Sequence, residues 1–268
     1  RAQLHIDTYV ADGSAFSVVS TIISGPTEAI IVDAQFHSSD ANRVVDMVVA
    51  KGLRLKAVVF THPHDDHYIG AMAIRQRFPD VPFYISEAGL KEYARTAPRF
   101  LGAIKQMFPG DTPDSLVRPQ VFPAGPLTVD GETIEVVPDL TGDQWGASNS
   151  YLWIPSLHAA VVGDLAFNGV HMWLANSTAK SRAQWLKSLD QIAARKPAIV
   201  VAGHKRSQSL SDSPDVLAAN QAYLREFDKA VDVATGSDDL IGRMRAKYPD
   251  LGLAALILAR AARVAIPD

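Results

Sequence analysis

Apolar positions along the chain change period several times, and each change marks an element. β-Branched runs at "FSVVSTIIS" (16–24) and "AIIVDA" (29–34) read as strands separated by a Gly25-Pro26 turn. In "SSDANRVVDMVVAKG" (38–52), Val44, Val45, Val48 and Val49 recur at helical spacing between capping residues and Gly52. "KAVVF" (56–60) is a short buried-strand run, "YIGAMAIRQRF" (68–78) a helix and "VPFYI" (81–85) a strand. Residues 87–118 read as helical, broken by Pro98, Pro109 and Pro113. Alternation returns in "LTVDGETIEVV" (127–137), where Asp130-Gly131 predicts a hairpin. "NSYLWIP" (149–155), "HAAVVGD" (158–164) and "AIVVAG" (198–203) read as strands, with a helix over 181–195 and a helical stretch from about Asp212 onward. Two strand-rich halves, each with helices, predict an α/β layered fold, and the hairpins predict mixed sheets.

Composition narrows the partners. The 268 residues are 47% hydrophobic, enough for a sizeable core, and carry a formal charge of -3. Without a basic block, a nucleic-acid partner is not expected. The apolar run "LGLAALILA" (251–259) is too short to span a bilayer, so no membrane partner is expected either. The absence of cysteine removes thiolate ligands and a Cys nucleophile together. No G-x-S-x-G elbow is present, which weighs against a serine hydrolase.

The candidate chemistry sits in "FTHPHDDHYIG" (60–70), which holds three of the eight histidines and two adjacent aspartates within six positions. His62 and His64, two residues apart as the chain leaves a strand, point to one side. A turn then brings Asp66 and His67 round. Imidazole nitrogens and carboxylate oxygens are donors that zinc, iron or manganese accept without thiolate. More donors are needed downstream, and Asp164 in "VVGDLAFN" and His204 in "VVAGHKRS" each follow an apolar strand. Gly163 and Gly203 are expected to let the backbone approach an ion closely.

These residues resemble the pattern of the metallo-β-lactamase superfamily, H-x-H-x-D-H followed by a middle histidine, a bridging aspartate and a last histidine. The resemblance spans about 16–206 and includes Asp33 of "AIIVDA", which matches an aspartate that supports the metal loop. It implies an α/β, four-layer αβ/βα sandwich with two mixed β-sheets and the site at one edge between them. It also implies a domain over 1–210 with a helical insertion at about 87–118; the stretch over 211–268 lies outside the shared pattern and is expected to be a helical C-terminal extension packed on it. One departure stands out, since no histidine occurs between His67 and His158. Aligning "NSYLWIP" places Asp143 of "TGDQWG" in the middle position, with Asp139 as competitor. This is similar to a subgroup with "GD" in place of "GH", which also carries a "FNGVH"-like segment such as 167–171.

The resemblance implies two divalent metal ions, zinc first with manganese or iron as alternatives, about 3.5–4 Å apart and sharing a hydroxide as nucleophile. His62, His64 and Asp143 would hold one, and Asp66, His67 and His204 the other, with Asp164 shared. Asp66 could orient the nucleophile and pass its proton on, and Tyr68 could donate to an oxyanion. Trp145 would line the pocket, and His171 would support the ligands from behind. Phe100, Met107 and Phe108 are expected to pack the insertion's own core, and Lys205 and Arg206 to be solvated. The expected activity is hydrolysis of a small-molecule ester, lactone or amide, β-lactams included. An iron-dependent oxidoreductase and a metal-binding protein with reduced catalysis are the alternatives. A homo-oligomer remains open, as does the compartment: the chain begins at Arg1, which fits a periplasmic or secreted protein after leader removal as well as a cytoplasmic one.

Overall fold

The computed structural model describes residues 2–267. The first half contributes β1 (His5–Val10), β2 (Val19–Ser24), β3 (Glu28–Val32), helix α1 (Ser38–Ala50) and β4 (Arg54–Val59). It continues with α2 (Ala71–Arg77), β5 (Phe83–Ile85), α3 (Glu87–Met107) and β6 (Gln120–Val121). These strands form one six-stranded sheet in sequential order, antiparallel from β1 to β3 and parallel from β3 to β6. The second half contributes β7 (Leu127–Val129), β8 (Glu132–Leu140), β9 (Asn149–Ile154), β10 (Ala159–Asn168), α4 (Ala179–Ala194) and β11 (Ile199–Lys205). Its five-stranded sheet runs β11-β10-β9-β8-β7, antiparallel except for the β10–β11 pair. Three helices follow: α5 (Asp215–Val233), α6 (Ser237–Lys247) and α7 (Ala259–Ala265), the last preceded by a π-helical turn at Ala254–Leu258.

Alternation along the strands separates three cores. Val19, Ile23, Ile30, Val32 and Val59 of the first sheet meet Ile134, Leu152, Ile154, Val161 and Val201 of the second, forming the layer between sheets. The opposite face of the first sheet, including Ile22, Ile31 and Val58, packs on Val44 and Val48 of α1, Ile74 of α2 and Tyr93 of α3. The outer face of the second sheet, including Tyr151, Val162 and Phe167, packs on Trp185 and Leu189 of α4 and on Leu224, Phe227, Leu240 and Ala262 of the C-terminal helices. The result is the four-layer αβ/βα arrangement with two mixed sheets. A fully buried aliphatic or aromatic side chain stabilises by about 1.5–3 kcal/mol, so a one-residue slip in any central strand would expose an entire stabilising row.

Several elements differ from their expected form. β1 and β6 carry no clear pattern, because β1 is half-exposed along its length and β6 is two exposed residues. α3 passes through Pro98 and ends at Met107, so 108–118 is not helical. There Asp111 reaches back to α1, accepting from Ser39 N through Oδ1 while its carbonyl accepts from Ser38 N. Met107 is exposed, and Phe108 lies against Phe36 and His37 rather than inside the insertion; Phe100 packs at the edge of the first sheet's outer core. Lys205 is buried and paired with Asp212 at 3.0 Å, because β11 carries it beneath the chain entering α5; Arg206 is the exposed one. At the Asp130-Gly131 turn both residues have positive φ, as a two-residue hairpin demands, and the Asp130 carboxylate also accepts from Thr27 N and Glu28 N.

His171 ties the segment after β10 to the C-terminal helices. Its Nδ1 stands 2.8 Å from the Tyr223 hydroxyl of α5, and its backbone N–H donates to Gly252. Burial, reinforced by the Arg245 charge, pulls its pKa down to about 4. In the unfolded chain it would titrate near the usual histidine value, so the folded state resists a proton that the unfolded state accepts. The stability it contributes is therefore complete above about pH 6.5 and lost as the pH falls through about 4. His171→Asn is expected to flatten the stability-against-pH slope between these values. Urea denaturation across that range checks this; an unchanged slope would place the acid sensitivity elsewhere.

Candidate metal centre

Five segments deliver the polar cluster to one edge of the two sheets. The turn after β3 brings Asp33, and the loop after β4 brings Thr61, His62, His64, Asp66 and His67, the last two within a 3-10 turn at Asp65–His67. The β8–β9 loop brings Asp143, and β10 and β11 bring Asp164 and His204. The last two lie inside strands rather than just beyond them. β10 shifts register against β11 around Gly163, and this irregularity turns Asp164 out of the ladder. The sheets are joined at this edge on both sides of the cluster. Val18 bridges His204, Lys205 N donates to Ser17 O, and Ser150 N donates to Thr61 O.

The donor atoms fall into two groups, His62, His64, Asp143 and Asp164 in one and Asp66, His67 and His204 in the other, with atoms in each group within 4.8 Å of one another. Asp164 joins the groups. Its Oδ2 lies 3.4 Å from His62 Nε2 and 3.1 Å from His204 Nε2, and its Oδ1 lies 3.1 Å from His67 Nε2. Asp143 Oδ2 stands 2.7 Å from His64 Nδ1 and 3.4 Å from His62 Nε2. Asp66 Oδ2 stands 3.3 Å from His204 Nε2. Asp139, the competitor for the middle position, points away on an exposed stretch of β8.

Hydrogen bonds behind the cluster decide which nitrogens face inward. Asp33 accepts from His67 Nδ1–H at 2.8 Å, from Thr61 N–H at 2.8 Å and from the Thr61 hydroxyl at 2.7 Å. Because that hydroxyl gives its proton to Asp33, it can only accept from His62 Nδ1–H, 3.0 Å away. His204 Nδ1–H donates to the Phe16 carbonyl at 2.6 Å, and Phe167 stacks flat on the ring. In their neutral form, as metal ligands, these three imidazoles would present an unprotonated Nε2 to the cluster. Charge-assisted hydrogen bonds contribute about 1.5–3 kcal/mol each, so three together offset the several kcal/mol of withdrawing the Asp33 carboxylate from water. Asp33 itself sits at a φ of 62°, in the left-handed region that aspartate enters more readily than most residues.

Gly163 and Gly203 serve protein packing rather than the approach of an ion. A Cβ on Gly163 would lie 2.4 Å from the Thr61 hydroxyl, and one on Gly203 would lie 2.0 Å from Asp164 Oδ1.

The donor set fits a cation. Three buried atoms aimed at the cluster, His67 Nε2, Asp143 Oδ2 and Asp164 Oδ1, make no hydrogen bond among the described residues. Asp143 and Asp164 are buried together, and only positive charge makes that arrangement stable. With protons as the sole countercharge, burial pulls His62 down but Asp143 and Asp164 override it, pushing its pKa up to about 10. Burial raises Asp164, yet His204, His67 and His62 hold it well below the carboxylate range. A divalent ion would replace those protons.

The remaining candidate residues divide. Trp145, two residues along the chain from Asp143, is 48% exposed. Tyr68 packs among Phe60 and Tyr93, its hydroxyl buried without a hydrogen-bond partner among the described residues, a placement at odds with an oxyanion donor. His171 binds Tyr223 and supports the C-terminal helices instead of the ligands. Thr61, the Phe16 carbonyl and Asp65 join the site without a role expected from the sequence. Thr61 is adjacent to the motif and could have been suspected, whereas a backbone carbonyl 188 residues from His204 leaves no sequence signal. Asp65 is pushed up to about 6 by burial and by the neighbouring Asp66 charge.

With this geometry in place, comparison with known proteins identifies the family. The metallo-beta-lactamase superfamily model matches residues 13–204, and the chain belongs to that superfamily. Similar solved structures include a metallo-beta-lactamase from Pontibacter korlensis, 19% identical with a TM-score of 0.61, the match covering 84% of this chain and 99% of that one. DIM-1 metallo-beta-lactamase is 17% identical with a TM-score of 0.57, and VMB-1 is 15% identical with a TM-score of 0.56; each match covers 84% of this chain and 97% of the other. At these identities they share the fold. No curated protein matches the sequence. Among the described residues, no helix is long and apolar enough to cross a membrane.

Asp33→Ala is expected to weaken metal binding about 10- to 100-fold, by freeing His67 and Thr61 to turn. Calorimetric titration of metal-free protein measures this, and unaltered affinity would show that the bonds behind the cluster do not orient it.

Proposed function

We propose that the protein is a metal-dependent hydrolase of a small-molecule ester, lactone or amide, β-lactams included, working with two divalent ions. The observation that carries this reading is the paired donor cluster joined by Asp164, with three of its inward atoms making no hydrogen bond among the described residues. His62, His64 and Asp143 would hold one ion, Asp66, His67 and His204 the other, and Asp164 would reach both. Bound there, divalent metal supplies Lewis acidity, making water nucleophilic near neutral pH and a carbonyl more electrophilic. The chain provides the rest. Asp33, Thr61 and the Phe16 carbonyl hold the imidazoles in the required tautomer. Asp66, the most accessible carboxylate of the cluster, is placed to accept a proton from the attacking water and deliver it to the leaving group. Trp145 offers an exposed apolar face for the substrate body.

The three carboxylates in the donor set support a second reading. Carboxylate-rich sites favour harder cations, and iron would admit an oxygen-dependent oxidoreductase on the same residues.

Protein purified without added metal is expected to contain close to two equivalents of zinc or manganese and to hydrolyse members of an ester, lactone and β-lactam panel. His64→Ala should remain folded and lose that hydrolysis, whereas iron with oxygen uptake would favour the oxidoreductase. Asp143→Ala is expected to lose one metal equivalent per chain, read by elemental analysis. Full stoichiometry in that variant would refute the assignment of the middle ligand.

A further inference from the structure

We infer that Asn149 is a positioning residue for Asp143, restricting that carboxylate to one inward-facing oxygen so that it acts as a single-donor ligand. The inference rests on the metal-centre reading above. Both side chains are fully buried. Asn149 Nδ2 donates to Asp143 Oδ1 at 3.3 Å, while Oδ2 faces His62 and His64. A carboxylate has two equivalent oxygens and a soft terminal torsion, so nothing intrinsic to aspartate selects one oxygen over the other. The amide makes the selection.

The amide is itself held in place. Asn149 pairs with Leu140 where β8 and β9 resume after their register shift, which sets its backbone at the mouth of the loop carrying Asp143. The backbone of Gly142 backs onto the amide: a Cβ there would lie 3.0 Å from Nδ2 and 3.1 Å from Cγ. The next residue, Ser150, donates its N–H to Thr61 O, so the strand is registered against the residue that orients His62. The orientation of the amide follows from chemistry. Flipped, it would set an oxygen against Asp143 Oδ1, two acceptors without a proton between them, whereas the observed arrangement leaves Asn149 Oδ1 merely without a hydrogen-bond partner among the described residues.

The test uses Asn149→Ala and Asn149→Leu, the latter retaining bulk without the donor, each alone and combined with Asp143→Ala. Metal-free full-length protein is titrated with Mn2+ and, separately, Zn2+ by calorimetry, and its folding is followed by circular dichroism. Either single variant should bind one metal equivalent about 10- to 100-fold more weakly and the other normally. In the Asp143→Ala background, where that equivalent is gone, the same change should leave the remaining equivalent unaltered. Wild-type affinity at both equivalents in a folded Asn149 variant would overturn the inference. So would an equal loss at the remaining equivalent in the double variant, or unfolding of both metal-free single variants, since each marks a purely structural residue. Two full equivalents in Asp143→Ala alone would instead sink the ligand assignment itself.

Discussion

Two carboxylates, Asp143 and Asp164, are withdrawn from water into one pocket and both face His62. Burying like charges together costs several kcal/mol per ion unless positive charge lies among them. Every other feature of the edge can be understood from that constraint. Four imidazoles surround the carboxylates, and hydrogen bonds from behind fix which nitrogen three of them present. The raised His62 and depressed Asp164 pKa values describe the same field from its two sides.

The scaffold holds this charge pattern by making the two sheets share an edge. Asp33 sits at the end of β3, yet it orients His67 directly and His62 through Thr61, so one carboxylate sets two ligands. The register shift at Gly163 aims Asp164, and the absence of a Cβ on Gly203 leaves room for its carboxylate. Backbone bonds from Lys205 to Ser17 and from Ser150 to Thr61 close the seam. A centre built across two sheets demands such cross-links, since independent sliding of either sheet would separate donors that must agree within tenths of an ångström. The C-terminal helices cover the outer face of the second sheet, sharing one apolar core with α4.

Local features were legible where local chemistry suffices. The strand-and-helix alternation marked most elements, since burial on one face imposes a period that survives in the sequence. The short motif from His62 to His67 was equally visible, because its donors are neighbours in the chain. Legibility failed where a residue's role depends on distant partners. Tyr68 follows the motif directly but turns into the aromatic packing around Phe60 and Tyr93. His171 lies close to Asp164 in sequence, yet its partner Tyr223 is fifty-two residues on. Lys205, charged and beside a ligand, is buried because Asp212 meets it.

By itself the sequence determined the residue types, the layered α/β alternation and the donors that lie side by side after β4, because these are written in spacing and periodicity. Tertiary structure decided that Asp143 and not Asp139 turns inward, that Asp164 touches both donor groups, and which nitrogen each histidine offers. Those outcomes depend on register shifts, on the approach of one sheet to the other and on hydrogen bonds between residues far apart in the chain. No one-dimensional pattern encodes such distances.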